Sequence, residues 1–135
     1  MDSLGNVLTK IRNAYAVRLT ETTAPVAKLN EAVLRVLVRE GYLSSVSVEK
    51  TDEKSRSYLK IVLKYVDQIP ALSRIRRLST PGRRVYTGAA SIPRPKNGYG
   101  TIIVSTHQGV LSAYEARRLG LGGELLCEVI RGEGQ

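Results

Sequence analysis

The chain of 135 residues has one Cys, one His, no Trp and no Phe, and only 12 Asp and Glu against 21 Lys and Arg. Each shortage closes off a class of protein. A single Cys forbids an internal disulfide, and one Cys with one His cannot build a Cys/His zinc site. No apolar run approaches the ~18 residues that a membrane span needs, and no signal-peptide core opens the chain, so a soluble intracellular protein is expected. Neither Gly-x-x-x-x-Gly-Lys-Ser/Thr nor Gly-x-Gly-x-x-Gly occurs, so no nucleotide cradle and no cofactor is implied. Without Phe or Trp, an RNA-reading sheet of the RRM kind, faced with stacking rings, is disfavoured.

What is there is charge and enough apolar residue to fold. The length suits one ordinary domain or two very small ones, and 42% hydrophobic residues can bury a core. A chain of this size removes about two-thirds of its unfolded surface from water. The net charge of +9 favours phosphate-rich partners, nucleic acid foremost, although an acidic protein or an anionic membrane answers the same field.

Periodicity divides the chain. Leu4, Val7, Leu8, Ile11, Ala14 and Tyr15 fall at helical spacing, with Ser3 as the expected N-cap. A polar stretch holding Pro25 reads as an edge strand or loop. Asn30 is expected to cap a second helix, with Leu29 and Leu34 as a hydrophobic staple and Gly41 as the stop. Residues 42–49 place Val46 and Val48 on one strand face, Leu59, Ile61, Leu63 and Tyr65 alternate strictly, and the charged stretch 51–57 reads as the hairpin loop between them. Residues 67–70 are the one credible linker. Residues 71–78 fit a helix or a strand equally. Beyond them lie a Pro81-Gly82 turn, a strand at 83–86, a loop with Pro93 and Pro95, an Asn97-Gly98 turn, and a strand at 101–105. Ser112 and Glu115 then spell a capping box for one short helix stopped at Gly120, and a turn through Gly120, Gly122 and Gly123 precedes a last strand at 125–130. The expected fold is α+β: an N-terminal α/β domain (1–66; two helices, about three strands), a C-terminal β-rich domain with one short helix (71–130), and a frayed tail (131–135).

Catalytic chemistry is sparse. His107 stands two residues from Ser105, without a Gly-x-Ser-x-Gly elbow or a second His to act as base. Cys127 reads as a small buried thiol in a strand. The basic residues are more telling because they cluster: Arg74, Arg76, Arg77, Arg83 and Arg84 around the Pro81-Gly82 turn, Lys10, Arg12 and Lys28 in the first half, and Arg117 with Arg118. Tyr86, beside the first cluster, is either a stacking ring or a strand tyrosine packed on the core. The segment Ser105-Thr106-His107-Gln108-Gly109 is either an ordinary polar turn or a loop whose hydroxyls meet base edges and ribose 2′-hydroxyls.

Taken together, Leu8-Thr9-Lys10-Ile11-Arg12-Asn13-Ala14, Glu40-Gly41-Tyr42, Ser79-x-Pro81-Gly82-x-Arg84-Val85-Tyr86, Ser105-Thr106-x-x-Gly109, Glu115-Ala116-Arg117 and Gly122-Gly123-Glu124-x-Leu126-Cys127 resemble the family of the eighth small-subunit ribosomal protein, in its bacterial or organellar form. The resemblance runs from Asp2 to Ile130. It implies two packed domains and a structural rRNA-binding protein, resident in a bacterial cytoplasmic or an organellar ribosome. Its implied partners are the central domain of the small-subunit (16S-type) rRNA, whose platform it helps organise, and neighbouring ribosomal proteins. In that family the Ser-Thr loop and the Pro-Gly-x-Arg-Val-Tyr strand read an irregular RNA helix. Carried over, Ser105, Thr106, His107, Gly109 and Tyr86 become the readers, Gly123 and Glu124 line the same surface, and Lys10, Arg12, Asn13, Lys28, Arg83 and Arg84 become phosphate contacts. His107 and Gln108 replace the family's usual Ser and Lys, which removes one phosphate contact, and Ile130 stands where the last strand usually ends in Trp. A second reading is a free-standing RNA-binding translational regulator, since some family members bind their own operon's mRNA. A third, from a different class, is a hydrolase working through Ser105 or Cys127.

Overall fold

A computed structural model describes residues 2–51, 56–95 and 99–132. Helix α1 spans Ser3–Ala16 and buries all six residues of the apolar stripe. Its cap lies one residue earlier than expected. The Asp2 carboxylate accepts from the Gly5 N–H at 3.1 Å, where negative charge is favoured by the helix dipole. Helix α2, Lys28–Arg39, also begins early, with Ala27 in extended conformation at the cap and no side-chain cap bond. Asn30 is therefore inside the helix, 1% exposed, and its amide donates to the Ser3 hydroxyl at 3.0 Å. Both expected cap residues thus serve the contact between the two helices. Leu29 falls in the first turn of α2 and remains 37% exposed, so no staple forms. Gly41, at φ +89, follows the end of α2 as expected.

The first sheet is antiparallel in the order β1-β3-β2, with β1 Glu21–Pro25, β2 Leu43–Lys50 and β3 Ser57–Leu63. Pro25 ends an edge strand. Val46 and Val48 lie opposite Ile61 and Leu59, as their shared face requires, while residues 52–55 of the hairpin loop lie outside the described residues. Tyr65 leaves the alternation. It belongs to β4, Tyr65–Val66, which pairs with β5, Ile69–Pro70. Between them Asp67 and Gln68 take φ of +52 and +67, the geometry of a two-residue type I′ hairpin. The stretch read as a linker is therefore a tight turn.

The second sheet has five strands: β6 Leu72–Arg77, β7 Tyr86–Thr87, β8 Gly100–Thr106, β9 Gly109–Ser112 and β10 Gly123–Arg131. The order is β6-β10-β8-β9, with β7 also on β10. The ambiguous stretch 71–78 is a strand. The strand expected at 83–86 shrinks to Tyr86–Thr87 for local reasons. Thr80 and Arg83 exchange backbone hydrogen bonds across Pro81-Gly82, and the Val85 N–H is taken by the Ser79 hydroxyl at 2.7 Å, leaving no donor for a ladder there. Helix α3, Ala113–Leu119, carries the full Ser112–Glu115 capping box and ends at Gly120 with φ +69. Gly123 belongs to β10 and not to the turn before it. The tail expected to fray from 131 is held at its start: Arg131 ends β10, and the Arg131 and Gly132 N–H groups donate to the Tyr99 and Ala71 carbonyls at 2.6 and 3.0 Å. The Asn97-Gly98 turn and residues 133–135 lie outside the described residues.

One apolar cluster joins α1, α2 and β3 to Leu72, Ile75, Ile103, Leu126 and Val129 of the second sheet. A smaller one lies under α3, made of Ile92, Ile102, Val104, Ala113, Ala116 and Leu125. The second sheet is thus covered on both faces. Arg39 at the end of α2 reaches Glu115 of α3 at 2.8 Å.

Candidate nucleic-acid interface

Antiparallel register assembles the expected reading residues. Tyr86 of β7 lies opposite Glu124 of β10, Glu124 lies opposite Ser105 of β8, and Ser105 lies opposite Val110 of β9. With strands ~4.8 Å apart, Tyr86 and Ser105 stand about 10 Å from one another across Glu124. Tyr86 is 68% exposed, so it is not a strand tyrosine packed on the core. Gly123 lets β10 approach β8 closely, since an added Cβ would lie 2.0 Å from the Ser105 carbonyl oxygen.

The β8–β9 hairpin closes the row. Thr106 pairs with Gly109, and His107 and Gln108 form its exposed tip. Gly109 has φ +114, a conformation glycine alone adopts without strain. The Thr106 hydroxyl donates to the Gly109 carbonyl at 2.8 Å and accepts from the Gln108 N–H at 3.1 Å. It is a turn residue by this geometry. The half-buried Ser105 hydroxyl makes no hydrogen bond among the described residues and is free for a ligand.

The expected phosphate contacts do not converge on one spot. Lys10 reaches toward β1, 3.4 Å from the Thr23 hydroxyl. Arg12, on the opposite flank of α1, borders a groove of about 560 Å³ shared with Ser73 and Arg74. Asn13 and Lys28 are exposed on their helices. Arg83 is exposed and unpaired among the described residues. Arg84 lies 2.9 Å from the Glu124 carboxylate, so its charge is already answered. Two more of that cluster are also paired: Arg76 with Glu128 at 3.6 Å, and Arg77 with Asp2 at 3.3 Å. Arg77 additionally donates to the Leu126 carbonyl at 2.7 Å and is a structural residue that clustering alone did not separate from its neighbours. The hydrolase reading loses its thiol: Cys127 is fully buried, and burial pushes its pKa up to about 12.

The model of the family described as ribosomal protein S8 matches residues 2–130. The chain belongs to that family. Among S8 relatives, the small ribosomal subunit protein uS8 of Rhizorhabdus wittichii is 48% identical over 128 residues, covering 95% of this chain and 96% of its own. The uS8 protein of Thermus thermophilus is 44% identical over 136 residues, covering 95% and 97%, and that of Rhodospirillum centenum is 46% identical over 128 residues, covering 95% and 96%. This S8-family chain has the α+β fold described above.

Proposed function

We propose that this chain is a structural component of the small ribosomal subunit of a bacterial-type ribosome, bound to the central domain of the small-subunit rRNA and to neighbouring ribosomal proteins. The observation that carries the reading is the register of Tyr86, Glu124 and Ser105, which presents an exposed ring and a free hydroxyl across one end of the second sheet of an S8-family protein. In this reading Tyr86 stacks on a base, and Ser105, His107 and the backbone at Gly109 and Gly123 meet bases and ribose, while Thr106 holds the hairpin in shape. Arg83, Lys10, Arg12, Asn13 and Lys28 contact phosphates around that centre, which fixes orientation without choosing sequence. Glu124 holds Arg84 and accepts from an RNA hydroxyl or exocyclic amine. Residues 71–130 read the RNA and residues 1–66 brace it. The role is binding and not catalysis. An operon mRNA bearing the same RNA shape would compete for the same row.

The test is in-cell crosslinking with sequencing of the attached RNA, joined to sedimentation. Co-migration with small subunits at high salt and crosslinks in the central domain are the expected results. Crosslinks confined to mRNA, with free protein at the top of the gradient, would replace the ribosomal reading with a regulatory one.

A further inference from the structure

Three arginines have no place in the interface above. Arg117 and Arg118 lie in the last turn of α3, and Arg94 lies in the loop beside it. None of them pairs with a carboxylate among the described residues. Arg117 is nevertheless fixed, because one guanidinium nitrogen donates to the Ile92 carbonyl at 3.2 Å and the Pro93 carbonyl at 3.3 Å. Those carbonyls orient the group without neutralising it. Arg94 and Arg117 together border a cavity of about 90 Å³, whose remaining walls are Pro95, Gly100, Thr101 and Ala113. That is the volume of about three waters of the liquid at ~30 Å³ each, room for one tetrahedral oxyanion. Burial, and then the charge of Arg94, make protonated Arg117 less favourable than an ordinary arginine. Two like charges held against one cavity are stabilised by an anion between them, and the planar guanidinium fork matches phosphate oxygens.

The surroundings suit a nucleotide better than a bare anion. Tyr114, Arg117 and Arg118 share one face of α3 at i, i+3 and i+4. Tyr114 is 63% exposed, with the Arg118 guanidinium 5.9 Å from its ring centroid. An exposed ring beside unpaired arginines offers base stacking next to backbone neutralisation. This face is also separate from the reading row. Val104 and Leu125 point into the cluster beneath α3, so their strand neighbours Ser105 and Glu124 point to the other side of the sheet. Thr101 and Ser105 are four residues apart on β8, about 13 Å along the strand.

We propose that Arg94 and the outer face of α3 form a second RNA site, in which a phosphodiester seats between Arg94 and Arg117, an unpaired base stacks on Tyr114, and the segment held is distinct from the one on the Tyr86–Ser105 row. The proposal rests on the RNA-binding reading above, and its test separates the two. Arg94 and Arg118 are exposed and make no hydrogen bond among the described residues, so Arg94→Ala with Arg118→Ala spares the fold, which a thermal melt checks. Parent and double variant are titrated, over a range of salt, with complete small-subunit rRNA and with its shortest fragment whose binding depends on Tyr86. On complete rRNA the double variant is expected to bind roughly tenfold more weakly, with a salt slope shallower by ~0.7–0.9 per lost contact. On the short fragment the two proteins should match. No change on complete rRNA, as an acidic protein partner for this face would give, overturns the second site. So does an equal loss on both RNAs, which would place α3 on the same segment as the reading row. Failure of the parent to bind either RNA would instead overturn the RNA-binding reading itself.

Discussion

The Glu124 carboxylate holds the Arg84 guanidinium at 2.9 Å in the middle of the row that joins Tyr86 to Ser105. Acidic residues repel phosphate, so a carboxylate at the centre of the proposed RNA-facing surface is expected to weaken binding to any backbone. It also restrains an arginine that would otherwise contact phosphates indiscriminately. Glu124→Gln is expected to release Arg84, strengthen binding to unrelated duplex RNA, and steepen the salt slope by ~0.7–0.9 log units per decade. The preference for cognate rRNA over that duplex should fall. Titrating both RNAs across salt checks this, and an unchanged slope would show that Arg84 stays withdrawn without its partner.

Tyr86 separates recognition from stability. Tyr86 is largely in solvent, so Tyr86→Ala should change the unfolding free energy by no more than the ~0.5 kcal/mol usual for surface changes. If the ring stacks on a base, cognate affinity falls by about 1–3 kcal/mol. Tyr86→Phe should retain most of that. A folded Tyr86→Ala variant that binds as the parent does would remove stacking from the account.

Adjacent hydroxyls should behave in opposite ways. Thr106 bonds both Gly109 and Gln108 across the hairpin, so Thr106→Ala should lower stability by roughly 0.5–1.5 kcal/mol per net hydrogen bond lost. Its effect on RNA should follow from the loosened turn and be partly restored by Thr106→Ser. Ser105→Ala should leave the melting point alone and weaken cognate binding. Melting and affinity measured on the same preparations decide it, and a stability loss for Ser105→Ala alone would reverse the assignment.

What the sequence made legible follows from how local each signal is. The capping box at Ser112–Glu115, the Gly120 stop and the stripe on α1 depend on residues a turn apart, and all three stand as read. The caps at Ser3 and Asn30 failed because their side chains meet each other across 27 residues, a contact no local pattern announces. Val85 lost its strand because a serine six residues earlier took its N–H. In the candidate site, the proposed reading residues were visible as motifs, but their alignment in one row depends on β10 pairing with both β7 and β8. Charge clustering was least informative, since Arg76, Arg77 and Arg84 are answered by Glu128, Asp2 and Glu124, all remote in sequence.

Alkaline pH should unfold the protein by a predictable route. Burial pushes the Cys127 thiol from 9.0 to about 12 and the Tyr15 hydroxyl from 10.0 to about 12. Tyr15 donates to the Tyr42 carbonyl at 2.7 Å and accepts from the Lys64 N–H at 3.0 Å. In each case the folded state keeps a proton that the unfolded chain releases. Their stabilisation is therefore complete below the unfolded pKa and is lost as pH rises through the window from about 9 to about 12. Each group contributes up to about 1.4 kcal/mol per pH unit within its window. Urea unfolding at successive pH values should show the decline, and Cys127→Ala should flatten its onset, whatever it does to stability at neutral pH. An identical decline in that variant would remove the thiol from the explanation.

Gly123 offers a test that couples stability to the proposed recognition. A Cβ there would lie 2.0 Å from the Ser105 carbonyl oxygen, 2.9 Å from the carbonyl carbon and 3.2 Å from the Thr106 Cα. All three are backbone atoms, so no side chain can swing aside, and β10 must move away from β8. Overpacking of this kind costs ~1–3 kcal/mol or more. Gly123 also pairs with Thr87 on the other side, so the displacement carries Glu124 and Tyr86 out of line with Ser105. Gly123→Ala is expected to lower the melting point and, at temperatures where the protein remains folded, to weaken cognate rRNA binding at least as much as Tyr86→Ala does. Gly82→Ala is the control for stability, because a Cβ there meets nothing within 4 Å, and it should leave the melting point unchanged. Amide exchange at residues 104–106 and 123–125 would locate the disturbance at this end of the sheet. A Gly123→Ala protein that melts lower but binds cognate rRNA with parent affinity would mean that the spacing of Tyr86 and Ser105 does not govern recognition.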